Sequence, residues 1–342
     1  MNEIDQDAYL AYAKSFTEAE RGLIDEFERW LPSALIDCHA HCNLAEHVRF
    51  VDEKARRHML STFPSFSLDE SEEWHRRLHP GKSIRALRFP KTFRGIDHKS
   101  ANAYLLGESP GEDRIALYGL PDDVEYTIKM LEHPRVSALK MYHSYLEPTA
   151  TEIYQYFPKA VLAVAQERGI PIILHPPRAV TECLDQIVKL FDDFPCLRVC
   201  MAHIGLTKSV RPGLEKALAT IAAHPLVCFD TALVPSAEVV SLAMSVAGSD
   251  RVMYGSDQPL HLIRSAAYHH PRLGERIVTE FPYHWVDRDE QREYGHLAVG
   301  VTHAHWQALR AIKDAVTKLP LKDQEKVKQQ LFHDNAESFY GF

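Results

Sequence analysis

The chain has 342 residues, 45% of them hydrophobic and 25% charged, which is enough to bury a large core as one elaborated α/β domain or as two ordinary ones. A formal net charge of −8 with histidine neutral, and no clustered basic face, argue against capture of nucleic acid and leave a small molecule as the expected substrate. No apolar run approaches the roughly 20 residues that cross a bilayer, and the start from Met1 to Asp7 lacks the basic-then-apolar order of an export signal, so a soluble, cytoplasmic protein with no membrane partner is expected.

Up to about Pro32 the apolar residues Leu10, Tyr12, Phe16, Leu23, Ile24, Phe27 and Trp30 recur at loosely helical intervals. This predicts an N-terminal helical extension over 1–33, packed on a domain spanning 34–342. Short apolar runs then alternate with longer amphipathic stretches, the pattern of buried parallel strands covered by helices. The predicted strands are Ala34 to His39, Ile84 to Phe89, Ile115 to Leu120, Val136 to Tyr142, Ile170 to His175, Arg198 to His203, Val227 to Thr231 and Arg251 to Ser256. Helices are clearest at Glu152 to Arg168, Thr181 to Asp193, Pro212 to Ala223 and Ser236 to Val246, each of crossover length. Eight such units predict an α/β fold, a closed (β/α)8 barrel of the TIM type. Two stretches exceed simple connections, Cys42 to Ser83 after strand one and Pro259 to about Gly300 after strand eight. Both follow strand ends, where a lid or specificity wall would sit. The six cysteines, at 38, 42, 183, 196, 200 and 228, show no paired spacing and read as reduced, mostly buried small residues.

The sharpest local feature is Asp37-Cys38-His39-Ala40-His41. On a regular strand His39 and His41 project to one face and Cys38 and Ala40 to the helices, while Asp37 shares the histidines' parity one step deeper and could orient a ligand. A lone His-x-His is weak among 20 histidines, and His303-Ala304-His305, at the start of a predicted helix, reads as accidental. Repetition at one structural position strengthens the first motif: His175, His203 and Asp257 each close an apolar strand. Polar groups at the carboxyl ends of several strands converge above a barrel. Nitrogen plus carboxylate ligation suits a divalent ion, zinc first, with one position open for catalysis.

The order His-x-His, histidine after strand five, histidine after strand six and Gly255-Ser256-Asp257 after strand eight resembles the amidohydrolase superfamily. The contexts Leu174-His175-Pro176 and Tyr254 to Pro259, and the ending Asn335-Ala336-Glu337-Ser338-Phe339-Tyr340, resemble its amidohydrolase-2 branch, from about Leu35 to the C-terminus outside the two insertions. The resemblance implies that His39, His41 and His175 bind metal and that Asp257 either completes the set or accepts a proton from a metal-activated water. His203 would contact the water or substrate if one ion is bound and ligate the second if two are. Lys140, on strand four, would bridge two ions as a carbamate or pair with carboxylates or substrate, so one or two ions per chain are both implied.

Arg178, just past His175, is placed to hold a substrate carboxylate through paired hydrogen bonds, or else is a solvated loop residue. The segment Arg85 to Arg94 puts four cations, Arg85, Arg88, Lys91 and Arg94, around the end of strand two; if they face the mouth the substrate is anionic. Tyr142, His143 and the aromatic cluster Phe281, Tyr283, His284 and Trp285 are further wall candidates. The expected chemistry is hydrolysis of an amide, lactone or related bond in a small molecule. The alternative is metal-dependent decarboxylation of an unsaturated or aromatic acid, and a homodimer is the prior for a barrel of this size.

Overall fold

The computed structural model describes residues 6–60, 62–270, 274–280, 286 and 288–342. Eight parallel strands run in sequence order around one sheet: β1 (Ala34–His41), β2 (Ser83–Phe89), β3 (Arg114–Tyr118), β4 (Val136–Met141), β5 (Ile172–Leu174), β6 (Val199–Met201), β7 (Val227–Asp230) and β8 (Val252–Met253). The Cys38 amide donates to the Tyr254 carbonyl at 3.1 Å, the Asp257 amide to His39 at 2.9 Å and the His41 amide to Gln258 at 2.9 Å. These bonds carry the chain after β8 along β1 and close the predicted barrel.

Strands five, six and eight are shorter than the apolar runs that announce them. The backbone leaves extended geometry before the polar residues, with φ of 56° at His203 and 61° at Asp257, so the strands stop short of the side chains they present. The helix predicted over Glu152 to Arg168 is interrupted before Pro158, into Ile153–Tyr156 and Lys159–Glu167, because proline has no amide to continue the ladder.

Strand β1 departs from simple alternation. Asp37 pairs with Ala86 and Ala40 with Arg88, three steps on β1 against two on β2, which is a β-bulge and reverses side-chain parity. Ile36 and Cys38 therefore pack inside the barrel with Ala138, Ile173, Cys200 and Met253, and Cys38 does not face the helices as alternation predicts. The C-terminal helix Asn335–Tyr340 plugs the bottom with Ala336, Phe339 and Tyr340. Its Asn335 amide donates to the Ser249 and Val252 carbonyls, both at 2.7 Å, which fixes the plug to the start of β8. All six cysteines are unpaired, and all but Cys196 are buried.

The first insertion folds as helices Glu53–Leu60 and Leu68–Leu78, the second opened by a Ser67/Glu70 capping box. The second insertion is an antiparallel unit, β9 (Arg264–His270) between β10 (Gly274–Thr279) and β11 (Thr302–His303). The aromatic cluster Phe281, Tyr283, His284 and Trp285 lies outside the described residues. The N-terminal extension forms helices Gln6–Ala13 and Glu18–Trp30. It docks through Phe27, stacked on Trp306 at 5.8 Å, and through Glu20, which takes two bonds from Arg264 at 2.9 and 2.8 Å. Among the described residues no helix is long and apolar enough to cross a membrane.

Candidate metal centre and cavity

At the carboxyl ends of the strands lies a cavity of about 490 Å3 lined by His39, His41, Lys140, Tyr142, His143, His175, His203 and Asp257, among others. His39 and His41 reach it from β1 past the bulge. Asp257 arrives from the turn after β8, its Oδ1 at 3.3 Å from His41 Nε2 and 3.5 Å from His39 Nε2. Gly255 permits this approach, because a Cβ there would stand 2.8 Å from that of His39.

Each histidine is tethered through Nδ1. The acceptors are Asp230 for His39 at 3.0 Å, the Pro90 carbonyl for His41 at 2.9 Å, the Pro176 carbonyl for His175 at 3.2 Å and the Ala232 carbonyl for His203 at 2.7 Å. An acceptor at Nδ1 places the proton there and leaves the Nε2 lone pair for a ligand. Donor atoms of His39, His41 and Asp257 lie within 4.8 Å of one another. His203 adjoins them, its ring 4.9 Å from His39 and 5.4 Å from His175. His175 stands at the edge of the group, with Nε2 3.4 Å from the Tyr142 hydroxyl. Three converging donors, deprotonated and buried, fit a divalent ion.

Electrostatics support that donor set. Burial alone would raise the Asp257 carboxyl, but the hydrogen bond to His41 and the neighbouring His39 and His203 hold it well below its usual range. Burial keeps His41 neutral down to about 3 and pushes His175 well below its ordinary value. Asp230, at the end of β7, is held at about 2 against its burial by His39 and His203. Sequence reading missed this residue, although it closes the run Val227-Cys228-Phe229 as His175 and His203 close theirs. The orienting role expected of Asp37 belongs to Asp230, because the bulge turns Asp37 away from the cavity imidazoles and towards His75, whose Nε2 lies 3.4 Å from its Oδ2. Its carboxylate instead accepts from the His39 amide at 3.1 Å, the Ser256 amide at 2.9 Å and the Ser256 hydroxyl at 2.5 Å.

Lys140 is buried, with its ammonium 5.4 Å from the Phe89 ring; burial lowers it to about 8, partly offset by Asp230 and Asp257. Tyr142 and His143 both line the cavity, their rings 4.6 Å apart. Arg178 does not line it and is exposed, which corrects the expectation of a carboxylate clamp there. Of the four cations around β2, Arg85 pairs with Glu337, Arg88 with Asp113 and Arg94 with Asp52. Lys91 alone of the four lines the cavity. Thr62 from the first insertion and Leu260 from the second are the cavity residues those stretches supply among the described residues; the loops after β5 and β6 supply more.

A family model described as amidohydrolase matches residues 36–342. Comparison with curated proteins gives no match. Among solved structures, a 2-pyrone-4,6-dicarboxylic acid hydrolase described as putative, from Pseudomonas putida, is similar at 16% identity and a TM-score of 0.59, over 91% of this chain and 98% of that one. An amidohydrolase from Burkholderia multivorans with bound zinc matches at 11% identity and a TM-score of 0.59, over 90% and 99%. The 5-carboxyvanillate decarboxylase from Sphingomonas paucimobilis matches at 13% identity and a TM-score of 0.55, over 91% and 100%. At these identities the likeness is one of fold.

Proposed function

The chain belongs to the amidohydrolase family whose model spans residues 36–342, and on that premise we propose that it is a metal-dependent hydrolase of an amide, lactone or related bond in a small anionic molecule. The observation that carries the reading is the set of four imidazoles tethered through Nδ1 around one ionised carboxylate in a single cavity. His39, His41, His175 and Asp257 hold the ion, zinc in the first instance. When bound, the ion supplies Lewis acidity and brings the pKa of a coordinated water towards neutrality.

The chain's own groups do the rest. Asp257, ionised and fixed by the hydrogen bond from its backbone amide to the His39 carbonyl, accepts the proton of the attacking water and returns it to the leaving group. His203, held by the Ala232 carbonyl, contacts the water or the substrate oxygen through Nε2. The Tyr142 hydroxyl, kept protonated by burial, donates to substrate. One ion per chain is the favoured count, because one buried group of three donors converges among the described residues. A second equivalent of metal, with a carboxyl adduct on Lys140 by mass measurement, would overturn that count.

Purified protein is expected to carry stoichiometric divalent metal, and His39→Ala or Asp257→Asn to lower kcat/KM about a thousandfold or more on a lactone and amide panel. Full activity after metal stripping contradicts the proposal. Among the described residues four cations and one carboxylate line the cavity, which supports a second reading, decarboxylation. In it Asp257 relays to the carbon that loses carbon dioxide a proton that it first takes from water. Hydrolysis transfers heavy oxygen from labelled water to product, whereas decarboxylation releases carbon dioxide and takes deuterium onto carbon.

A further inference from the structure

Resting on the reading of the cavity as the active site, a second, smaller space beside it bears on what else the substrate carries. A crevice of about 50 Å3 is walled by Leu233, Pro235, Leu260, Ile263, Ile277 and Ala304. Leu233, Leu260 and the nearby Lys208 line the metal-centre cavity as well, so the two spaces meet at one rim.

Four parts of the chain build the crevice. The residues after β7 give Leu233 and Pro235, the stretch after β8 gives Leu260 and Ile263, β10 gives Ile277, and Ala304 opens the helix Ala304–Thr317. Ile277 and Thr279 are two residues apart on β10 and share a face, and Thr279 pairs with Ser265 of β9. Two of the polar groups on the lining bond each other, Gln307 Nε2 donating to the Ser265 hydroxyl at 3.1 Å. Among the described residues the wall is therefore mainly hydrocarbon, which suits an apolar group rather than a charged one.

Leu233 marks the rim in a second way. Its backbone has φ of 50°, in the left-handed region that a bulky side chain enters only at a steric cost. Strain of that kind concentrates at ligand-binding turns, and here it falls on a residue that lines both spaces. A water-sized group needs about 10 to 15 Å3 of such volume, so the crevice takes a chain of about three or four carbons.

We propose that the crevice is a subsite for a short alkyl tail of the substrate, entered from the metal-centre cavity over the rim of Leu233 and Leu260, and that Leu233 and Ile277 set the length of tail accepted. The reacting bond stays at the metal donors while the tail leaves water for the second insertion's sheet. Each methylene buried there raises affinity about three- to fourfold.

The test is calorimetric binding of straight-chain hydroxamates, from acetohydroxamate to decanohydroxamate, to the metal-loaded protein and to its Ile277→Trp and Ile277→Ala variants. Their heads chelate a divalent ion, and the matching n-alkanoates are run beside them. In wild type, affinity is expected to rise about three- to fourfold per carbon over about three carbons and then level off. I277W fills the crevice and cuts the total gain from about 30-fold to about threefold or less, whereas I277A widens it and moves the plateau out by about one or two carbons. A wild-type affinity independent of chain length, a rise that never levels off, or a gain undiminished in I277W overturns the subsite. If I277W does not fold, I277A decides alone, and an unmoved plateau overturns it. Metal analysis separates the two readings. Full metal loading and acetohydroxamate binding with a flat chain series defeat the subsite alone, and a chain-length gain with the alkanoates in a protein that takes up no metal defeats the metal-enzyme reading alone.

Discussion

Asp230 shows how much a single carboxylate behind a cavity histidine can decide. It accepts from His39 Nδ1 at 3.0 Å and from the His203 amide at 2.8 Å, so it sets the tautomer of one imidazole and the backbone position of another. Asp230→Asn keeps the shape but lets the amide face Nδ1 with either end, and the His39 lone pair loses its fixed direction. Metal affinity, measured by chelator competition, is expected to fall about 10- to 100-fold with the fold intact; an unchanged affinity would place the orienting role elsewhere. His39, His41, His175, His203 and Asp257 were legible because each closes an apolar run. Arg178 misled because chain proximity to His175 does not specify the direction of a side chain on a turn.

Among the elements, the N-terminal helices and the second insertion are joined by one buried ion pair. Glu20 and Arg264 are both at most 1% exposed, and Glu20 also accepts from the His303 amide at 3.1 Å. Glu20→Gln leaves the Arg264 charge buried without a full partner, which costs about 3 to 5 kcal/mol. The loss should appear as a lowered urea midpoint with an unchanged slope, and a shift under about 1 kcal/mol would mean that water already reaches the pair. The periodicity of Leu23, Phe27 and Trp30 announced the helix but not this docking, because a glutamate on an acidic helix reads as solvated until its arginine arrives from 244 residues away.

At the scale of the whole molecule, a second group of histidines lies outside the cavity. His305 has His79 at 4.8 Å and His261 at 5.2 Å between ring centroids. His303 lies 3.3 Å from Glu20, with Arg264 also near it. Burial holds His79 and His261 at about 3 and His303 at about 4, and pushes His305 well below its usual value; His75, Lys82, Asp37 and Asp257 are the other charges they face. The unfolded chain binds these protons near pH 6.5 and the folded one does not. Their contribution is therefore complete above that pH and is lost progressively as pH falls from there through about 4 to about 3, at ~1.4 kcal/mol per pH unit for each histidine that stays neutral. Thermal unfolding at pH 8, 6 and 5 should show Tm falling with growing steepness below 6.5, and a flat profile would refute the assignment. The sequence by itself determined the eight-stranded barrel and the strand ends that carry the cavity's histidines and Asp257, because apolar period and strand polarity are local properties of the chain. Only the tertiary structure decided that Asp230 rather than Asp37 orients His39, that Lys91 alone of the four cations around β2 lines the cavity, and that among the described residues the loops after β5 and β6 form more of its wall than the long insertions. Each of those outcomes depends on a bulge or on a partner distant in sequence, and neither leaves a local mark.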